Sequence, residues 1–141
     1  MDRLIIDASV VTASLLPDEP YHDAALRILA RFLRDGLELF TISLLRYELT
    51  NALWKGLKLG RVKLEDAEAA LREFEAFNIP EVEVSTTAIL RLAHTYDRSA
   101  YDTAYLTLAE ERRIPLITAD KRLYRALKDK FQWLIWVEDF K

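Results

Sequence analysis

The 141-residue sequence, 51% hydrophobic and 30% charged with only 3 Gly and 4 Pro, fits one globular domain and excludes a largely disordered chain. It has no cysteine, which excludes disulfides, thiolate metal sites and a cysteine nucleophile. The net charge of -3 carries no general basic signature of nucleic-acid binding, but 20 Lys and Arg can still form a local patch, and a cation held by acidic residues inverts the local sign. The first apolar run, Leu4-Ile5-Ile6, is too short for a signal peptide or a membrane span, so a cytoplasmic protein with no membrane partner is expected.

Leu4-Ile5-Ile6 runs into Asp7-Ala8-Ser9, the pattern of a buried, central, parallel strand. Val10 to Leu16 suits a short helix closed by Pro17. From Pro20 to Asp35 the residues Ala24, Ala25, Ile28, Leu29 and Phe32 share one helical face, with Gly36 suited to end it. Leu39 to Ile42 reads as a second strand ending at Ser43. Leu44 to Leu59 reads as a helix stopped by Gly60, and Leu64 to Phe77 as another stopped near Pro80. Val82 to Val84 reads as a third strand, followed by a helix from Thr86 to Tyr96. Ser99 to Arg112 is helical, and Ser99-x-x-Asp102 has the form of a capping box. Leu116-Ile117 reads as a fourth strand, Asp120 opens a helix through Leu127, and Trp133 to Val137 reads as a fifth strand. This alternation predicts a three-layer α/β/α fold around a parallel sheet of about five strands, spanning 1–141 as a single domain.

Sites in open parallel sheets form beyond the carboxyl ends of the strands. Those ends here deliver Asp7 and Ser9, Thr41 and Ser43, and Thr118 and Asp120. Each carboxylate also has a structural reading. Asp7 and Asp120 can cap the helices that follow them, and Asp102 suits the positive end of its helix dipole. Glu48 is different, because it sits inside a helix with Leu44 and Leu45 one turn before and Ala52 one turn after. A carboxylate on or beside an apolar stripe needs a metal or a basic partner. His22 and His94 lack partners at metal-ligand spacing and read as structural or surface residues. Ser9 has no histidine base placed near it, which argues against an acyl nucleophile. Tyr47, Trp54 and Leu57 lie along the Glu48 helix and suit either the core or an interface, while Trp133 and Trp136 read as packing residues.

Taken together, Ile5-Ile6-Asp7-Ala8-Ser9, Glu48-Leu49-Thr50-Asn51-Ala52-Leu53, Tyr101-Asp102-Thr103-Ala104-Tyr105, Leu108-Ala109-Glu110 and Leu116-Ile117-Thr118-Ala119-Asp120 resemble the PIN-domain family. The resemblance is specifically to the VapC-type toxins of prokaryotic toxin–antitoxin pairs, and it spans almost the whole chain. It implies a metal-dependent endoribonuclease. Asp7, Glu48, Asp102 and Asp120 fall on the family's acidic metal-binding quartet, Ser9 and Thr118 on its supporting hydroxyls, and Asn51 on the polar position one turn after the Glu. The implied cofactor is Mg²⁺, with Mn²⁺ as a substitute. Asp7 and Asp102 are expected as direct ligands, Asp120 directly or through water, and Glu48 as a ligand or as the group that positions the attacking water. Where some relatives carry another acidic residue or Asn after the last Asp, this chain has Lys121 and Arg122, so one firmly held metal is expected rather than two. The implied partners are RNA, a VapB-type antitoxin and a second copy of the chain in a homodimer.

Two other readings compete. A phosphoacceptor receiver domain would need an Asp after the third strand, where this sequence has Ser85. A catalytically silent interaction module would be expected to have lost part of the quartet, which is complete here.

Overall fold

The computed structural model describes residues 2–141; Met1 of the expected domain lies outside the described residues. Strand β1 (Arg3–Ile6) forms where Leu4, Ile5 and Ile6 are all at most 1% exposed. A fully buried strand has no polar face, hence its continuous apolar run. Strand β2 (Glu38–Phe40) lies on one side of it and β3 (Leu116–Thr118) on the other, with β4 (Leu134–Trp136) beyond β3. All pairings are parallel, and Ile6 stands opposite Ile117 in the register. The carboxyl ends of β1 and β3 are therefore neighbours, which brings the residues after Ile6 and after Ile117 to one edge.

Helices α1 (Ala8–Leu15), α2 (His22–Arg34), α3 (Leu44–Lys58), α4 (Leu64–Phe77), α5 (Thr86–Tyr96), α6 (Ala100–Arg112) and α7 (Lys121–Leu127) connect and cover the strands. Helix α2 buries Ala24, Ala25, Ile28 and Leu29, the stripe that its periodicity predicted. Helix α6 has no such stripe. Its seven residues from Thr103 to Ala109 are all buried, as in a helix enclosed by its neighbours. Thr103 and Thr107 tolerate this because their hydroxyls donate to the carbonyls of Ser99 and Thr103, one turn back, at 2.9 and 2.6 Å. Helices α4, α5 and α6 end on Asn78, Asp97 and Arg113, each in the left-handed region with φ between 52 and 54°. Asn and Asp enter that region readily, whereas Arg does so at a cost of about 1–2 kcal/mol.

The sheet has four strands, not about five, because Val82 to Val84 is not a strand. That segment contributes one parallel bridge, Thr41 to Glu81, built from the Thr41 amide to Pro80 O (3.0 Å) and the Val82 amide to Thr41 O (2.8 Å). The ladder cannot extend, because the neighbouring chain turns into α3 at Leu44, leaving Glu83 and Val84 without a backbone partner on that side. The second strand likewise stops at Phe40, short of the expected Ile42.

Candidate active site

Asp7 leaves β1 as the N-cap of α1 and is only 6% exposed. One carboxylate oxygen, Oδ1, accepts from the Val10 amide at 3.2 Å and from the Ser9 hydroxyl at 2.5 Å. The other, Oδ2, accepts from the Thr118 hydroxyl at 2.6 Å. The two hydroxyls in turn accept backbone amides from the loop after β3: Ala119 to Ser9 Oγ at 2.8 Å and Asp120 to Thr118 Oγ1 at 3.1 Å. Each hydroxyl proton is thus committed to Asp7, so the arrangement suits the ionised carboxylate. Burial nevertheless pushes the Asp7 carboxyl up to about 6, against its three hydrogen bonds and with a further push from the charge of Asp120. Capping and convergence are both realised at this residue.

Asp120 caps α7. Its Oδ1 accepts from the amides of Arg122 (3.0 Å) and Leu123 (3.2 Å), and Oδ2 has no hydrogen-bond partner among the described residues. Glu48 is half-buried on α3, where Oε1 accepts from the Tyr105 hydroxyl of α6 at 2.6 Å. Desolvation raises its carboxyl, the Tyr105 bond opposes this, and the charges of Asp102 and Asp120 raise it further. Burial and the facing Glu48 push the Tyr105 hydroxyl far up as well, so it remains a donor. Asp102 lies in the first turn of α6, and its amide donates to Ser99 Oγ at 3.2 Å. Only this arm of the expected capping box forms, because the Asp102 carboxylate turns instead to the Arg98 guanidinium, Nη2 to Oδ2 3.0 Å.

The charge of Asp120 thus acts on both Asp7 and Glu48, and that of Asp102 on Glu48. Ser9 and Thr118 link Asp7 to the loop after β3, while Asn51 is exposed and makes no side-chain hydrogen bond among the described residues. His22 is anchored to the Ala13 carbonyl at 2.7 Å, His94 is exposed, and Trp136 packs edge-on against Tyr21 at 4.9 Å. Two neighbours of the quartet escaped the sequence reading. Arg98 stands four residues before Asp102, a helical ion-pair spacing that could have flagged it. Tyr105 stands three after Asp102, but nothing local reveals that Glu48, 57 residues away in sequence, accepts its hydrogen bond.

Among the described residues, Arg98 is the one cation in contact with the quartet; Asp7, Glu48 and Asp120 have no ion-pair partner. One buried carboxylate, Asp7, and three partly exposed ones, with only hard oxygen donors and no sulfur or imidazole, form a donor set of the kind that suits Mg²⁺ or Mn²⁺. As they stand, no three acidic or histidine groups among the described residues are close enough together to hold an ion. A cavity of about 630 Å³, lined by Tyr96, Arg113, Lys130 and Trp133, lies by the opposite ends of β3 and β4.

The PIN domain profile matches residues 4–128. The chain belongs to the PIN-domain family, among its VapC-type members. It is 31% identical over 137 residues to Ribonuclease VapC3 of Pyrobaculum aerophilum, covering 94% of this chain and 98% of the relative. It is 30% identical over 99 residues to Exonuclease VapC9 of the same organism, covering 70% and 74%. The crystal structure of PAE2754 from P. aerophilum superposes with a TM-score of 0.71 at 27% identity, covering 97% of this chain and 90% of that one. VapC20 of Mycobacterium tuberculosis, described as a sarcin–ricin loop cleaving toxin, superposes at 0.64 with 16% identity, covering 88% and 95%, a likeness of fold alone.

Proposed function

We propose that this protein is a metal-dependent endoribonuclease, the toxin of a toxin–antitoxin pair, acting through Asp7, Glu48, Asp102 and Asp120. The observation that carries the reading is Asp7: a buried carboxylate with both oxygens hydrogen-bonded, no basic partner among the described residues, and the negative charge of Asp120 acting on it. A buried anion without a cation is costly, and a divalent ion offsets that cost. Asp7, Asp102 and Asp120 are the residues to hold it, with Glu48 beside them. A bound Mg²⁺ or Mn²⁺ would supply positive charge against a phosphodiester and a means of acidifying water. Ser9 and Thr118 fix the Asp7 carboxylate in one orientation. Glu48, its proton affinity raised and Oε1 occupied by Tyr105, has Oε2 left to take a proton from an attacking water. Arg98 holds Asp102 through Oδ2 and competes with a cation for that carboxylate, which has Oδ1 left to serve. Hydrolysis by in-line displacement then needs no covalent enzyme intermediate.

The relatives named ribonuclease and exonuclease support a nuclease. We further propose that residues 1–141 act as one domain in the cytoplasm, as a homodimer held in check by a VapB-type antitoxin. No helix among the described residues is long and apolar enough to cross a membrane. The test is incubation of the purified protein with single-stranded RNA in Mg²⁺, in Mn²⁺ and in EDTA, with mapping of the cut ends. Cleavage in both metals and none in EDTA is expected; absence of cleavage under every condition would favour the second reading, a silent interaction module. What favours that second reading is the structural employment of three of the four carboxylates, Asp7 and Asp120 as caps and Asp102 as an ion-pair partner.

A further inference from the structure

A cavity of about 360 Å³ opens directly beside the carboxylate centre. Ser9 and Ala119 form part of its wall, and they also tie Asp7 to the loop after β3, since the Ser9 hydroxyl donates to Asp7 and accepts from the Ala119 amide. The rest of the lining is mostly apolar, including Ala52 of α3 and Pro20 and Tyr21 from the segment entering α2, with the Glu19 carboxylate among it. The Tyr21 ring is held in place by Trp136, edge-to-face at 83°, and Trp136 is backed by Tyr124 at 5.5 Å. The Lys121 ammonium stands 6.0 Å from the Tyr21 ring centroid.

We propose that this cavity is a subsite for one unpaired nucleobase of the substrate, stacked on Tyr21, next to the phosphate that is cut at the Asp7 centre. This rests on the nuclease reading of that centre. An RNA strand with its phosphate at Asp7 must place an adjoining nucleotide beside Ser9 and Ala119, where the cavity begins. Unpaired bases are recognised by stacking on aromatic rings and by hydrogen bonds along their edges. A ring immobilised by packing loses little freedom when a base stacks on it. Lys121 supplies positive charge at the same place for a neighbouring phosphate. The Glu19 carboxylate, engaged through Oε1 by the Arg61 guanidinium at 3.4 Å, accepts hydrogen bonds through Oε2, so it favours bases that present an amino group over uracil, whose single N–H donor is flanked by two carbonyls that repel a carboxylate.

The experiment compares the full-length protein with Tyr21→Ala, Tyr21→Trp, Ala52→Phe and Glu19→Gln on single-stranded RNA with one randomised position beside the cut. Thermal melts identify the variants that fold. Tyr21→Ala is expected to raise KM by about five- to 140-fold, the range of alanine losses at stacked bases, and to flatten the base preference. Tyr21→Trp keeps the stacking and the preference. Ala52→Phe fills the cavity and reproduces the Tyr21→Ala phenotype with Tyr21 intact. Glu19→Gln weakens discrimination against uracil. Titration of fluorescent RNA in metal-free buffer measures the same losses without cleavage, so an inactive wild type would undermine the nuclease reading while this comparison still decided the subsite. Unchanged RNA affinity and preference in both Tyr21→Ala and Ala52→Phe would overturn the proposal. Unchanged RNA affinity with weaker binding of a protein inhibitor would assign the cavity to a protein side chain and equally overturn it.

Discussion

Replacing Asp7 with Asn should stabilise the metal-free protein while destroying its activity. The folded carboxyl titrates at about 6 against an ordinary value of 3.8, chiefly because burial penalises its charge. A raised carboxyl means that the protonated form stabilises the fold. That stability is fully present below about pH 3.8 and is lost as pH rises through about 6. A rise of this size corresponds to about 3 kcal/mol of ionisation cost above pH 7. Asn carries no charge and serves as well as Asp for an N-cap. Its amide nitrogen must face one of the two hydroxyls, Ser9 or Thr118, where the carboxylate accepted a charge-assisted bond, and this returns part of the gain. The expected net gain is about 1–3 kcal/mol at pH 8, or roughly 3–10 °C in Tm for a domain of this size. At pH 4 most of the gap between the two proteins should close. Urea unfolding in EDTA at both pH values checks this. An Asp7→Asn variant less stable than wild type at pH 8, or a gap indifferent to pH, would break the link between the burial of Asp7 and its function.

Other outcomes follow from the same contacts. Thr118→Val leaves Asp7 Oδ2 and the Asp120 amide without their hydroxyl partner; urea unfolding should show a loss of about 1–3 kcal/mol, and cleavage should fall with it. Tyr105→Phe removes the one hydrogen bond that holds the Glu48 carboxyl down, so the acidic limb of the pH–rate profile should move to higher pH. Arg98→Ala frees Asp102 from its ion pair, and calorimetry should show tighter, not weaker, Mn²⁺ binding.

Long amphipathic segments with clear stops were legible in the sequence. Helices α4 and α5 have the bounds that Leu64 to Phe77 and Thr86 to Tyr96 predicted. Strand β1 was legible because complete burial leaves only apolar residues at Leu4, Ile5 and Ile6. Val82 to Val84 misled because strand character in a β-branched run depends on a partner, and the neighbouring chain has already turned into α3. At the site, strand-end position and family resemblance singled out Asp7 and Asp120 as candidates, and their places before helices offered each as a cap; that the Ser9 and Thr118 hydroxyls would tie Asp7 to the amides of Ala119 and Asp120 was not legible. Ser99-x-x-Asp102 predicted a reciprocal cap, and Arg98 took the place of the second arm because a guanidinium brings full positive charge to the carboxylate where the Ser99 amide brings only a dipole. The Tyr105–Glu48 bond and the cavity beside Ser9 join residues from distant elements, so no local pattern encodes them.

Everything proposed for catalysis depends on Asp7, Glu48, Asp102 and Asp120 forming one centre for a divalent ion. Mn²⁺ binding, followed by paramagnetic resonance, reads this out in the wild type and in Asp7→Asn, Glu48→Gln, Asp102→Asn and Asp120→Asn, each shown to be folded. One tightly held ion is expected in the wild type and weaker binding in all four variants, most of all in Asp7→Asn. Wild-type affinity in Asp7→Asn, or no bound ion in the wild type, would contradict a shared centre.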